Sequence, residues 1–473
     1  MNILKISLKN KNFLYFIYLP IVVNFIVNLV NRYSIENISK INLYNLFSTI
    51  LLFTIFVGVG FLIKKLFSLP YISAGIVVYF FSFFVLDNIV LFFYNGLSFS
   101  HLFFITNIIW IIIFIIFSSN KPLILISLSL YGLLNLFNIK NLDHLIINKN
   151  IIGDVKDIHY PNVKNIYEVS YFYSINNQTL EGYPQISSYI HSLINLVSIN
   201  TESFYSLSSS INSLFLLFVL FFIEAGKSRG SKFFLVVIFS CLVFNSQWLK
   251  FLFVDSLMTE GILSYVFAVS LLSCLGQINN LSRTSYLVFF TTGLLYLSKQ
   301  FFSTLILVLV LLFILKKETR KYAITGLFGV LLKEIRSITF FSNIQKDYHL
   351  KEVDLVDTFF DLLLIRDLKI GNISIILKNL IGDMPFFILV FYLFVMTLIF
   401  LYLYRLKHEK INIILFIIYL NFLLIFILYI TIWRTMELES PIRYMLNLLP
   451  VILILQSNMI DIFNVNIYNK ASN

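Results

Sequence analysis

The chain of 473 residues is 59% hydrophobic and only 12% charged, with a mean hydropathy of +0.88. Soluble domains carry about a quarter charged residues, so this composition excludes a water-soluble globule. The formal charge of +11 would point to nucleic acid in a soluble protein, but here Lys and Arg occupy short loops between apolar runs, where they set membrane topology. No nucleic-acid partner is expected.

The expected fold class is an all-α polytopic membrane protein with about 13–14 transmembrane helices of roughly 20 apolar residues each. In chain order the candidate spans are 13–31, 46–63, 72–94, 101–118, 122–139, 204–223, 233–249, 257–276, 285–298, 300–315, 322–341, 384–404, 411–432 and 443–460. The first run, from Phe13, is followed by Asn31 and Arg32 with no small-residue cleavage site, so it is expected to remain as a span. Ser298-Lys299-Gln300 interrupts a stretch too long for one helix and splits it in two. The run after Tyr322 meets Lys333, Glu334 and Arg336, a pattern that suits a half-span or an interfacial helix. Cys241 and Cys274 both lie in apolar runs and read as small hydrophobes, not as a disulfide.

If Lys5, Lys9 and Lys11 are cytoplasmic, the same side receives Lys64/Lys65, Lys121, Lys227/Arg229/Lys232, Arg283, Lys316/Lys317/Arg320/Lys321 and Arg405/Lys407/Lys410. Both termini, including the tail 462–473, are then cytoplasmic. The opposite face carries two long loops, 140–203 and 342–383, and two short ones, 250–256 and 433–442, and chemistry is expected there. No repeat of 20–50 residues is present.

Loop 140–203 is polar and aromatic. It contains Gly153-Asp154-Val155-Lys156-Asp157-Ile158-His159-Tyr160-Pro161 and, later, Gly182-Tyr183-Pro184. Val163, Ile166 and Val169 recur three apart, which predicts a short helix lying on the membrane surface. Asp154 then falls just before a turn near the interface. The short loop 250–256 holds Lys250 and Asp255, with Glu260 one turn into the next span. A carboxylate at that depth serves a bundle cavity or a structural salt bridge.

These residues resemble the GT-C class of polyprenyl-phosphate-sugar-dependent glycosyltransferases, close in pattern to protein O-mannosyltransferases and aminoarabinose transferases. Members carry a D-x-x-x-Y-H-x-P pattern in their first large outer loop. Aligned on His159 and Pro161, Asp154 takes the aspartate position and Ile158 stands where Tyr is usual, with Tyr160 able to supply the ring. Asp255-Ser256-Leu257 resembles the second-loop aspartate that opens a span. Leu294-Tyr296-Leu297-Ser298-Lys299 is similar to the small-residue-then-Lys segment, and Pro441-Ile442-Arg443-Tyr444 with Pro450 resembles the head of a late helix. The resemblance implies a GT-C-like module over 121–461 with outer loops 140–203 and 342–383. Residues 1–120 hold N-terminal spans in a number that departs from the best-known members, which have one span before the loop.

The resemblance implies an enzyme, a membrane glycosyltransferase that moves a hexose or pentose from a polyprenyl-phosphate donor to a hydroxyl on a glycan, lipid or protein, with inversion, at the outer face of a bacterial plasma membrane. Such transfer needs a base for the acceptor proton and positive charge for the leaving phosphate. The class assigns the base to the position of Asp154, with Asp157 as the alternative three residues on. Asp255 ligates a divalent cation, Mg²⁺ or Mn²⁺, or orients the acceptor, because some members use a metal and others do not. His159 is a metal ligand or a hydrogen-bonded loop histidine. Lys299 and Arg443, beside Tyr444, are the candidates for the lipid phosphate, and an interface anchor is the alternative role for Arg443.

Two other functions operate on similar substrates. A transporter or flippase for lipid-linked sugars calls for inverted repeats and Gly- or Pro-broken helices at mid-membrane, yet the chain has only 16 Gly and 8 Pro. An O-antigen or capsule polymerase relies on Arg and His in a large late loop, where 342–383 offers His349 and Arg366 beyond scattered lysines.

Overall fold

The computed structural model describes residues 43–93, 99–117, 203–245, 259–277, 281–294, 310, 314, 317–341 and 448–457. The fold is all-α, with no strand among the described residues. In chain order the helices are α1 (Leu43–Phe67), α2 (Ile72–Phe93), α3 (Phe99–Phe117), α4 (Ser203–Ala225), α5 (Arg229–Asn245), α6 (Thr259–Gln277), α7 (Ser285–Leu294) and α8 (Arg320–Phe341), with a one-turn 3₁₀ segment, Lys317–Thr319, leading into α8. Residues 449–457 are also helical. The apolar runs beginning at 46, 72, 101, 204, 233, 257, 285 and 322 thus form helices whose ends fall within a few residues of the expected ones. The spans expected at 13–31, 122–139, 384–404 and 411–432 lie outside the described residues, as does 300–315 apart from residues 310 and 314.

Among the described residues, no single helix is long and apolar enough to cross a membrane. The bent pair Phe53–Phe67 and Ile72–Phe83 meets that measure together, its axis turning through 98° at the break. The break has a local cause. Ser68 adopts φ 49°, and the Leu69 N–H donates to the Lys64 carbonyl at 3.0 Å, the six-to-one bond of a Schellman cap. Pro70 follows and cannot continue the helix. At the start of α5, Ser228 and Ser231 cap one another: each backbone N–H donates to the other's Oγ at 3.0 Å.

Close packing depends on small residues. Gly60 and Gly75 put the backbones of α1 and α2 in direct contact, and a Cβ on Gly75 would strike the Gly60 carbonyl. Gly293 meets the Gly326 carbonyl in the same way, and a Cβ on Gly329 would lie 2.8 Å from the Phe290 carbonyl. Tyr286 stacks near Tyr322 with ring centroids 4.4 Å apart. Because the two starts meet and residues further along meet in the same order, α7 and α8 run parallel.

Helix α6 is the centre of the core, with every residue from 261 to 275 buried. It packs on α2, α4 and α7, while α2 also packs on α3, α4 and α7, so the first helices and those after residue 203 share one core. Aromatic rings fill the α4–α5–α6 junction. Phe239 lies 4.9 Å from Phe222 and 5.1 Å from Phe218, and Phe218 meets Tyr265 edge-on at 5.3 Å. Between α2 and α3 the buried polar groups pair with one another: Tyr79 Oη donates to Asn107 Oδ1 at 2.9 Å, Trp110 Nε1 to Ser82 Oγ at 2.9 Å, and Ser82 Oγ to the Tyr79 carbonyl at 2.6 Å. Outward positions carry large apolar groups instead, among them Ile112, Ile116 and Phe117 on α3, Phe233 on α5, and Ile324, Phe328 and Leu331 on α8.

Candidate functional site

The densest polar constellation among the described residues surrounds Glu224, in the last turn of α4. Its carboxylate accepts from the Ile72 N–H at 2.5 Å, the Ser73 N–H at 2.9 Å and the Ser73 hydroxyl at 2.8 Å. Lys64 Nζ of α1 stands 3.7 Å from Oε1. The first N–H groups of a helix have no partner within it, and its N-terminus carries partial positive charge. A carboxylate from another helix answers both needs for α2. The Glu224 side chain is 12% exposed and that of Lys64 32%, so the pair sits at the edge of the core with water on one side.

Two tyrosines border the cluster. Burial, and then the nearby Glu224 charge, raises the pKa of Tyr71 above its ordinary value, because both disfavour a phenolate. The Tyr71 ring also packs edge-on against Phe221 of α4 at 5.9 Å. The fully buried Tyr265 hydroxyl of α6 stands beside Ser73 and Glu224 without completing a hydrogen bond. The Ser270 and Ser273 hydroxyls of α6 are likewise buried and unpartnered.

The same ion pair ties the basic turn of Lys64 and Lys65 to the turn of Lys227, Arg229 and Lys232, and these two turns share one end of the bundle. The Tyr286–Tyr322 contact joins the starts of α7 and α8, next to Arg283 and to Lys317, Arg320 and Lys321. Chemically the Glu224 cluster is a filled donor–acceptor set. No group of three or more His, Cys, Asp or Glu residues able to hold a metal occurs among the described residues.

The sequence-predicted site residues Asp154, Asp157, His159, Tyr160, Asp255, Lys299, Arg443 and Tyr444 lie outside the described residues. Glu260 falls in the first turn of α6. Sequence reasoning missed Glu224 and took Lys64 only as a topology charge. The available signal was an acidic residue at the end of an apolar run, just before a basic turn where the other charges are positive. No family model, curated protein or solved structure matches the chain.

Proposed function

We propose that this chain is a polytopic membrane glycosyltransferase of the GT-C type, transferring a sugar from a polyprenyl phosphate to a hydroxyl acceptor at the outer face. The carrying observation is the order of four motifs: Asp154 with His159 and Pro161, Asp255 opening a span, Lys299 closing a small-residue segment, and Arg443-Tyr444 heading a late span. In chain order, Asp255 follows α5, whose basic start lies at its other end, and Lys299 follows α7, which begins next to Arg283.

The membrane part of the reading is supported by the distribution of side chains. Phe233 is 72% exposed and Phe117 70% exposed, while Ser73, Ser264 and Thr292 are fully buried. Large apolar groups facing outward and small polar groups at helix contacts suit a lipid solvent, in which close backbone approach and internal hydrogen bonds hold helices together.

In this reaction Asp154 takes the acceptor hydroxyl proton as the oxygen attacks the anomeric carbon, and the bond from that carbon to the phosphate oxygen breaks with inversion. Arg443 and Lys299 hold the departing polyprenyl phosphate, where a guanidinium grips two oxygens and an ammonium acts as a point charge. Asp255 orients the acceptor or ligates Mg²⁺ or Mn²⁺, and loss of activity with a chelator distinguishes the two. The principal test is Asp154→Asn, which keeps size and hydrogen bonding but removes the base. Transfer from a radiolabelled polyprenyl-phosphate sugar should fall by roughly two to four orders of magnitude with membrane insertion unchanged. A fall in Asp157→Asn alone moves the base to Asp157, and normal activity in both variants sinks the reading.

A further inference from the structure

The turn that ends α1 and the turn between α4 and α5 are joined by the Lys64–Glu224 ion pair, so Lys64, Lys65, Lys227, Arg229 and Lys232 gather at one end of the bundle. Glu224 is the single carboxylate in these two turns, and it is already taken up by Lys64 and by the donors of Ile72 and Ser73. Lys65, Lys227 and Arg229 are exposed and have no ion pair among the described residues, while the Lys232 stem is folded against Gly226. Apolar groups accompany these charges. The Lys65 ammonium lies over the Phe61 ring, 5.8 Å from its centroid, and that ring is 37% exposed. On α5 the largely exposed Phe233 follows Arg229 by one turn, and residues four apart share a helix face. On both helices, then, a cation stands near the end and an exposed ring lies about 6 Å further along the axis into the bundle.

We propose that this end of the bundle is a docking surface for anionic phospholipid headgroups, their phosphodiesters paired with Lys65, Lys227 and Arg229 and their acyl chains lying against Phe61 and Phe233. Charge complementarity identifies the occupant: the surface has used its own carboxylate, so the anions that balance the remaining cations come from outside the chain. The rings set the depth. A cation that meets water while an apolar group one turn inward meets hydrocarbon belongs at the boundary between headgroups and acyl chains, where each Lys or Arg near the surface attracts anionic lipid. A charge that only fixes topology is satisfied by water on the correct side, and has no need of an exposed ring beneath it. The inference rests on the membrane part of the reading above and not on the glycosyltransferase part.

The test compares two lipids at one position. Phe233→Cys carries a bimane label in the full chain, reconstituted in nanodiscs of phosphatidylcholine and phosphatidylglycerol, with Cys241 and Cys274 buried and unlabelled. Quenching is measured with one lipid or the other brominated on its acyl chains at equal mole fraction, which gives the relative association constant of phosphatidylglycerol over phosphatidylcholine beside the label. Ile112→Cys is the reference, exposed on α3, a helix with no Lys or Arg. The expected ratio at position 233 is about three to ten, against about one at position 112, and it should fall towards one in K227Q/R229Q and in about 0.5 M NaCl. A ratio of about one at position 233, an equal preference at position 112, or a preference unmoved by K227Q/R229Q overturns the proposal. Should K227Q/R229Q fail to insert, the salt series decides, and a preference that persists in high salt overturns it. Absence of quenching by either brominated lipid at both positions overturns the membrane reading itself and this inference with it, an outcome distinct from equal quenching by the two lipids.

Discussion

Ser68 is an L-residue holding left-handed backbone, φ 49°, at the point where α1 must stop. That conformation costs a side-chain-bearing residue about 1–2 kcal/mol, and glycine escapes most of it at the expense of a larger loss of freedom on folding. Ser68 is exposed, so removing its side chain vacates no core. Ser68→Gly should stabilise the protein by about 0.5–1 kcal/mol in reversible detergent unfolding, and Ser68→Val should destabilise it, because a β-branched residue tolerates positive φ poorly. Equal stability in all three proteins would show that the α1 cap does not constrain the fold. Glu224 illustrates the other kind of residue at this scale. Its neighbours in the chain, Ile223 and Ala225, say nothing of Ser73, which lies 151 positions away and donates to it.

At the scale of elements, the helices hold together where side chains are missing. Gly293 lets α7 press on the Gly326 carbonyl of α8, so even a methyl group there has nowhere to go. Gly276, near the end of α6, has open space where its Cβ would be. The two therefore make a matched pair. Gly293→Ala should force α7 and α8 apart and cost about 1–3 kcal/mol, whereas Gly276→Ala should be neutral or stabilise by up to about 1 kcal/mol through reduced backbone entropy. Thermal melts of the two variants beside wild type check this, and comparable losses in both would contradict backbone contact between α7 and α8. Helix positions were legible because apolar runs bounded by charge leave few alternatives, and α8 formed a helix despite Lys333, Glu334 and Arg336 within it. Parallel packing of α7 on α8 was not legible, since glycines 33 positions apart, 293 and 326, carry no local sign of contact.

For the whole molecule, the charge pattern expects the basic turns on one side of a membrane and loop 140–203 on the other. Single cysteines at Asn176 and Lys232 should react with an impermeant thiol reagent from opposite faces of sealed vesicles, with Cys241 and Cys274 silent because both are buried. Reaction from the same face would overturn the orientation and with it the placement of the candidate catalytic residues. The sequence by itself determined where the helices among the described residues run, because apolar runs of helical length bounded by charged turns leave few alternatives. The proposed chemistry rests on the sequence alone, on the motif order around Asp154, Asp255, Lys299 and Arg443, which lie outside the described residues. Only the tertiary structure decided which helices touch: that α6 is enclosed by α2, α4 and α7, and that Glu224 closes the first turn of α2. Those contacts depend on shape and donor geometry between residues far apart in the chain, and hydropathy, which every apolar helix here shares, does not distinguish one partner from another.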